Sequence, residues 1–205
     1  MTRGPATRVP EEARSGRMQR TLAQPATLEG VGLHTGEAGT MVFQPAAPDT
    51  GVRFVRTDLP GNPEVVVRPE NAHFDPTAGR RTILRQGDVQ IHTMEHVLAA
   101  IAGLGIDNLR IETNRMEIPE PADGSAAPIA RALLSAGIAS QERPKHHIKV
   151  TKPVSWAQDG VELSAVPYGG FRVTFTQCRF HCTYQRLPDN AHDLSSRSVR
   201  FRVYP

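Results

Sequence analysis

A chain of 205 residues with 39% hydrophobic side chains is long enough to bury a sizeable core, and it reads as one full domain or one domain plus part of another. No apolar stretch reaches the roughly 18 residues of a membrane-crossing helix, and residues 1–17 mix Arg, Glu, Gly and Pro without the apolar core of a secretory leader, so a membrane span is excluded and a cytoplasmic location is expected. A net charge of +3 and a pI near 9.2 do not mark a nucleic-acid binder, because the 24 basic residues are scattered among 21 acidic ones without a basic, aromatic stripe.

Residues 1–17 read as a flexible extension, with Met18 as an alternative start of translation. From Thr21 to Val55, short apolar runs such as Thr40-Met41-Val42-Phe43 punctuated by Gly30, Gly32, Gly36 and Gly39 predict antiparallel strands and tight turns. Val52–Thr57 and Glu64–Val67 add two strands, and Arg81–Leu84 and Val89–Ile91 flank a Gln86-Gly87-Asp88 turn as a hairpin would. Met94, Val97, Leu98 and Ile101 recur at helical spacing, with Thr93 as the expected N-cap and Gly103 and Gly105 as the stop.

A strand follows over Asn108–Glu112, then a second helix from about Ala126 to Ala136 with Pro128 in its first turn and Gly137 at its end. Asp123-Gly124-Ser125 precedes that helix, and Asp and Ser there serve to satisfy its free amides. His147–Val154, Gly160–Val166 and Gly170–Phe175 read as three strands of a new antiparallel sheet, with a Gln158-Asp159-Gly160 turn. After Thr176 the periodicity ends. The fold class expected is α+β: a two-layer first domain over 18–146, a mostly antiparallel sheet packed on two helices; the first strands of a second, similar domain over 147–176; and a divergent tail over 177–205.

The sharpest chemical feature is His92-Thr93-Met94-Glu95-His96, at the end of a strand and the first turn of a helix. Zinc hydrolysis needs a neutral imidazole to hold the metal and a carboxylate to take a proton from water, and Glu95 and His96 supply that pair. As a bare pattern, His-x-x-Glu-His also matches the inverted metalloprotease signature, and a helix-capping Glu beside a packed His matches it equally well.

Four segments set that pair in a wider pattern: Gly30-Val31-Gly32-Leu33-His34-Thr35-Gly36, Thr93-Met94-Glu95-His96-Val97-Leu98-Ala99-Ala100, Gly103-Leu104-Gly105-Ile106-Asp107-Asn108 and Asp123-Gly124-Ser125-Ala126-Ala127-Pro128. In that order they closely resemble the UDP-3-O-acyl-N-acetylglucosamine deacetylases, zinc enzymes of lipid A synthesis, over about Met18–Thr176. The resemblance implies Zn2+ as cofactor, a UDP-linked acylated glucosamine as substrate, Glu95 as general base and His96 as one of three zinc ligands, while His92 falls just outside the metal site. His34 matches a histidine near the family's cleft, or else serves the turn geometry. Thr77–Thr82 falls where the family places an active-site insert, which makes Gly79 and Arg80 candidate substrate contacts.

The same resemblance implies a second domain carrying a His-Lys-x-x-Asp segment with the other two ligands and a later histidine that protonates the leaving amine. Nothing in this chain matches either element: His181 and His192 have the wrong spacing, and Cys178 and Cys182 form neither a disulfide framework nor a paired Cys-x-x-Cys site. The abrupt loss of resemblance after Thr176 points to a frameshifted or truncated gene, so the chain is expected to be an incomplete deacetylase. The alternatives are a catalytically inactive fragment of that enzyme and, from another class, a nucleic-acid-binding α+β module, against which the scattered charge argues. The sequence does not set an oligomeric state.

Overall fold

The computed structural model describes residues 18–75, 77, 81–120, 123–146, 148–169, 173–177 and 197–201. Those of 18–146 belong to one compact unit and those from 148 onward to another.

In the first unit the chain runs through β1 (Met18–Leu22), β2 (Ala26–Gly32), β3 (Ala38–Pro45), β4 (Val52–Arg56) and β5 (Glu64–Val66). A single 3-10 turn at Pro69–Asn71 leads into β6 (Ala72–His73), β7 (Ile83–Gln86) and β8 (Val89–His92). Helix α1 (Glu95–Leu104), β9 (Leu109–Thr113), β10 (Pro119–Glu120), α2 (Ala127–Ser135) and β11 (Ile138–Pro144) complete it.

The main sheet has six strands in the order β10-β2-β3-β9-β4-β5, antiparallel throughout except for the parallel β4–β9 pair. Strands β6, β7 and β8 form a second sheet, and β1 pairs with β11. Successive strand side chains face opposite sides, so the alternation in β3 and β9 sends Met41, Phe43, Leu109 and Ile111 to one buried face. The helices cover that core: Val97, Ala100 and Ile101 of α1 and Ile129 and Leu133 of α2 recur at three- and four-residue spacing and are buried in the same cluster. Burying Phe43 and Phe54 alone stabilises by about 1.5–3 kcal/mol each. The expected α+β class, a mostly antiparallel sheet with two helices, is the one found.

Local signals account for the element ends. Gly87 and Asp88 form the two-residue turn between β7 and β8, Gly87 with φ of 61°. Helix α1 stops at Gly105, whose left-handed φ of 66° lets the Ile106 amide reach back to the Ile101 carbonyl at 3.1 Å. Gly103, expected to share that role, lies inside the helix instead, since its neighbours keep the helical hydrogen bonds. Ahead of α2, the Ser125 hydroxyl accepts the Ala127 amide at 3.2 Å, whereas Asp123 Oδ1 accepts the amide of Ser125, outside the helix, at 3.0 Å, and the cap position falls to Ala126 with no side-chain cap bond.

In the second unit, β12 (Val154–Gln158) and β13 (Val161–Ala165) form a hairpin whose Asp159-Gly160 turn has φ of 51° and 77°, the left-handed pair that suits a two-residue loop. The strand expected over His147–Val154 is displaced: among the described residues 148–153 there is none, and β12 opens directly after Pro153, which has no N–H to give to a ladder. Val154, Trp156, Val161 and Leu163 are all exposed, and the register puts Trp156 opposite Leu163. Strand β14 (Val173–Gln177) pairs antiparallel with β15 (Arg197–Phe201), although no regular element was expected after Thr176. Gly170 and residues 178–196, including Cys178, His181, Cys182 and His192, lie outside the described residues. Among those described, no helix is long and apolar enough to cross a membrane.

Candidate active site

Glu95 and His96 open α1, where unpaired helical amides favour an anion, and the way the chain enters that helix is unusual. Thr93 does not cap it. Its φ of 60° is left-handed, a conformation that costs a β-branched residue on the order of 1–3 kcal/mol, and the cap position falls to Met94 with no side-chain bond. Two contacts hold the strained residue: its amide donates to the Thr82 carbonyl at 3.0 Å, and its hydroxyl donates to Glu117 Oε1 at 3.0 Å. The kink turns the chain sharply from β8 into α1, leaving Glu95 exposed and His96 half-buried while Met94 and Val97 enter the core.

Glu117 ties this turn to a second one. It is buried, and besides the Thr93 hydroxyl it accepts the amides of His34, at 3.0 Å, and Thr35, at 2.8 Å. The Gly-flanked loop carrying His34 is thereby fastened to the entry of α1, with the His34 side chain exposed. Burial by itself raises the Glu117 carboxyl, but hydrogen bonds from Thr35, His34 and Thr93 outweigh it and hold the group below its ordinary value of 4.5. Backbone bonds explain why Glu117 arrives there: the His92 amide donates to the Met116 carbonyl at 2.9 Å and the Ile118 amide to the His92 carbonyl at 3.0 Å.

Three residues after Glu117, β10 presents Glu120. Its carboxylate Oε2 lies 2.7 Å from His96 Nδ1, with the Glu120 side chain 5% exposed and that of His96 38%. On the other side of the helix start, Glu95 Oε1 accepts the Thr82 backbone amide. His92, which a metalloprotease reading would make a ligand, is buried beside the site and not in it: Nε2 meets Gln90 Oε1 at 2.8 Å and Nδ1 has no partner among the described residues. Burial and the nearby Arg81 push its pKa below the ordinary 6.5.

Glu95, His96 and the His34 loop thus converge on one place, whereas Gly79 and Arg80 lie outside the described residues. No group of three or more His, Cys, Asp or Glu side chains among the described residues is placed to hold a metal ion. Among the described residues, the site brings together the His96 imidazole, whose Nε2 has no hydrogen-bond partner there, and the neighbouring Glu95 carboxylate.

Sequence comparison sets this geometry in a family. A sequence model of UDP-3-O-acyl N-acetylglycosamine deacetylases matches residues 19–202, nearly the whole chain. The chain belongs to that family. A UDP-3-O-acyl-N-acetylglucosamine deacetylase of Methylococcus capsulatus is 43% identical over 159 residues, 77% of this chain and 51% of its own length. One of Coxiella burnetii is 39% identical over 181 residues, 88% of this chain and 58% of its own length. A bifunctional LpxC/FabZ enzyme of Chlorobaculum tepidum is 45% identical over 158 residues, 76% of this chain and 33% of its own length. The chain therefore spans between a third and somewhat over half of these curated relatives. All four motifs of this deacetylase-family chain lie inside the matched span, which runs past Thr176 to residue 202.

The sequence reading missed both buried acids, Glu117 and Glu120. Each meets a partner 24 or more positions away: the parallel bridge between His92 and Glu117 brings one acid to the helix start, and the β10–β2 pairing places the other. That pairing depends on a glycine: a Cβ on Gly30 would sit 2.3 Å from the Glu120 carbonyl oxygen and 2.8 Å from its carbon. Gly30→Ala is expected to destabilise by about 1–3 kcal/mol and to move β10, since backbone cannot yield as a flexible side chain does. A thermal melt beside the parent protein checks this, and an unchanged midpoint would show that β10 does not rest against Gly30.

Proposed function

We propose that this chain contributes the base and one metal ligand to zinc-dependent hydrolysis of the N-acetyl group of a UDP-3-O-acyl-N-acetylglucosamine, the family's committed step of lipid A synthesis, in the cytoplasm. The observation carrying this reading is the Glu95–His96 pair at the start of α1, with His96 Nδ1 engaged by Glu120 and Nε2 without a partner among the described residues. The donors fit zinc as far as they go: imidazole suits that metal, and a carboxylate behind the ring is its usual support. A catalytic zinc takes three protein ligands, so the proposed site draws the others from residues beyond those described.

A bound zinc ion would supply Lewis-acid chemistry at the acetamide carbonyl. The chain's own residues have separate tasks. His96 holds Nε2 toward the metal position. Glu95 takes a proton from the attacking water as its oxygen bonds to the acetamide carbon. The C–N bond then breaks, acetate leaves, and the released amine nitrogen receives the proton that Glu95 took from water, which returns Glu95 to its carboxylate. His34, and Gly79 and Arg80 of the 77–82 segment, are the proposed contacts to the UDP-sugar.

A second reading, a fragment of such an enzyme without catalysis of its own, is favoured by the single imidazole among the described ligands and by relatives of greater length. Zinc content and acetate release from the UDP-sugar, measured on the same purified chain, separate the two. Near-stoichiometric zinc that His96→Ala abolishes, together with acetate release, is the result expected of the deacetylase. Zinc far below one equivalent with no acetate would leave the fragment.

A further inference from the structure

We propose that Glu120 is a positioning residue for His96, locking the imidazole in the tautomer that carries its hydrogen on Nδ1 and presents the Nε2 lone pair outward. The inference rests on the reading of His96 as a ligand only for its consequence, not for its geometry.

The geometry is specific. Glu120 Oε2 lies 2.7 Å from Nδ1, and an ionised carboxylate only accepts hydrogen bonds, so Nδ1 must be the donor. The neutral ring then has a single remaining lone pair, on Nε2. In bulk water an imidazole samples both tautomers and rotates about its side-chain bonds, whereas here a buried acid fixes both choices. Oε2 makes its one bond to the ring, while Oε1 is buried and accepts no hydrogen bond among the described residues. A carboxylate in that condition lowers fold stability, since a buried acceptor without a partner costs on the order of 1–3 kcal/mol. An apolar residue would fill the position more stably, and what it would lose is the grip on His96.

The placement of Glu120 is also rigid. Its backbone pairs with Val31 across the β10–β2 ladder and lies against Gly30, where no side chain fits. His96 is held from the opposite side by α1, whose Val97 and Ile101 are buried. The acid and the ring are thus carried by separate elements, a strand and a helix.

Long-range 15N–1H correlation spectra of the metal-free, uniformly 15N-labelled chain test this directly, with His96 assigned by its loss in His96→Ala and spectra taken at alkaline pH, where imidazole is neutral. The parent is expected to show His96 with its hydrogen on Nδ1. Glu120→Gln keeps an acceptor and should preserve that tautomer, whereas Glu120→Ala should return the ring to the mixture dominated by hydrogen on Nε2. Zinc affinity, read by chelator competition, is expected to fall by about 10- to 100-fold in Glu120→Ala and by less in Glu120→Gln. An unchanged tautomer in both variants overturns the positioning role. A tautomer that responds to Glu120 while neither parent nor variant takes up zinc upholds the positioning role and overturns zinc binding by this chain.

Discussion

Glu95→Gln is expected to lower acetate release by about 10²–10⁴-fold, the usual contribution of a positioned general base, with the loss in kcat and little change in KM. The substitution is chosen for what it leaves alone. Glu95 Oε1 accepts the Thr82 backbone amide, and a glutamine oxygen can accept the same bond, so the segment after residues 78–80 keeps its tie to the helix start. What disappears is the ability to take a proton. Glu95 is exposed, so no core packing is disturbed, and the thermal midpoint should match that of the parent. Glu95→Ala would add the loss of the Thr82 contact and confuse the two effects. Turnover by Glu95→Gln at the parental rate would remove Glu95 from the chemistry.

Much of the frame around this residue is legible along the chain, and the reasons are local. The run from Met94 to Ile101 repeats at helical spacing because one face of α1 is buried, and the Asp159-Gly160 turn is readable because few other pairs accept two left-handed residues. The Glu-His pair is legible as chemistry because its partners sit side by side. What supports the pair is illegible for the opposite reason. Nothing near Glu117 in sequence shows that its carboxylate will gather the amides of His34 and Thr35, more than 80 positions earlier. Thr93 misleads in an instructive way: a threonine before a helix is an ordinary cap, but tertiary bonds to Thr82 and Glu117 draw it into a left-handed turn that propensity disfavours. The strand at Arg197–Phe201 was missed although Val199 and Phe201 alternate with Ser198 and Arg200, because the run is short and set in an Arg- and Ser-rich stretch.

The carboxylate of Glu117 makes a stability prediction of its own. Glu117→Ala removes the acceptor for two backbone amides and the Thr93 hydroxyl. Water can reach the amides of the exposed His34 and Thr35 but not so readily the buried Thr93, which gives a loss of about 2–4 kcal/mol, less than three full desolvation penalties. The midpoint of thermal unfolding should drop by roughly 10 °C. The pH dependence carries the sharper signature. Because the folded state holds the Glu117 carboxyl below its ordinary 4.5, the unfolded chain binds the proton first as acid is added; the stabilisation is complete above pH 4.5 and is lost as pH falls through the folded value. Buried His92 is also depressed, from 6.5, so it too favours the folded state at higher pH, but its loss begins nearer neutrality. Asp58, lowered chiefly by its hydrogen bond from Arg56, and Asp49, lowered chiefly by Gln19, act only below about 3.8. Denaturant melts across the acid range should therefore show a decline beginning near 6.5 and a second, steeper one below 4.5. Glu117→Gln should retain the first and flatten the second. A variant curve that parallels the parent through both windows would mean that the Glu117 carboxylate is not what fastens the His34 loop to the start of α1.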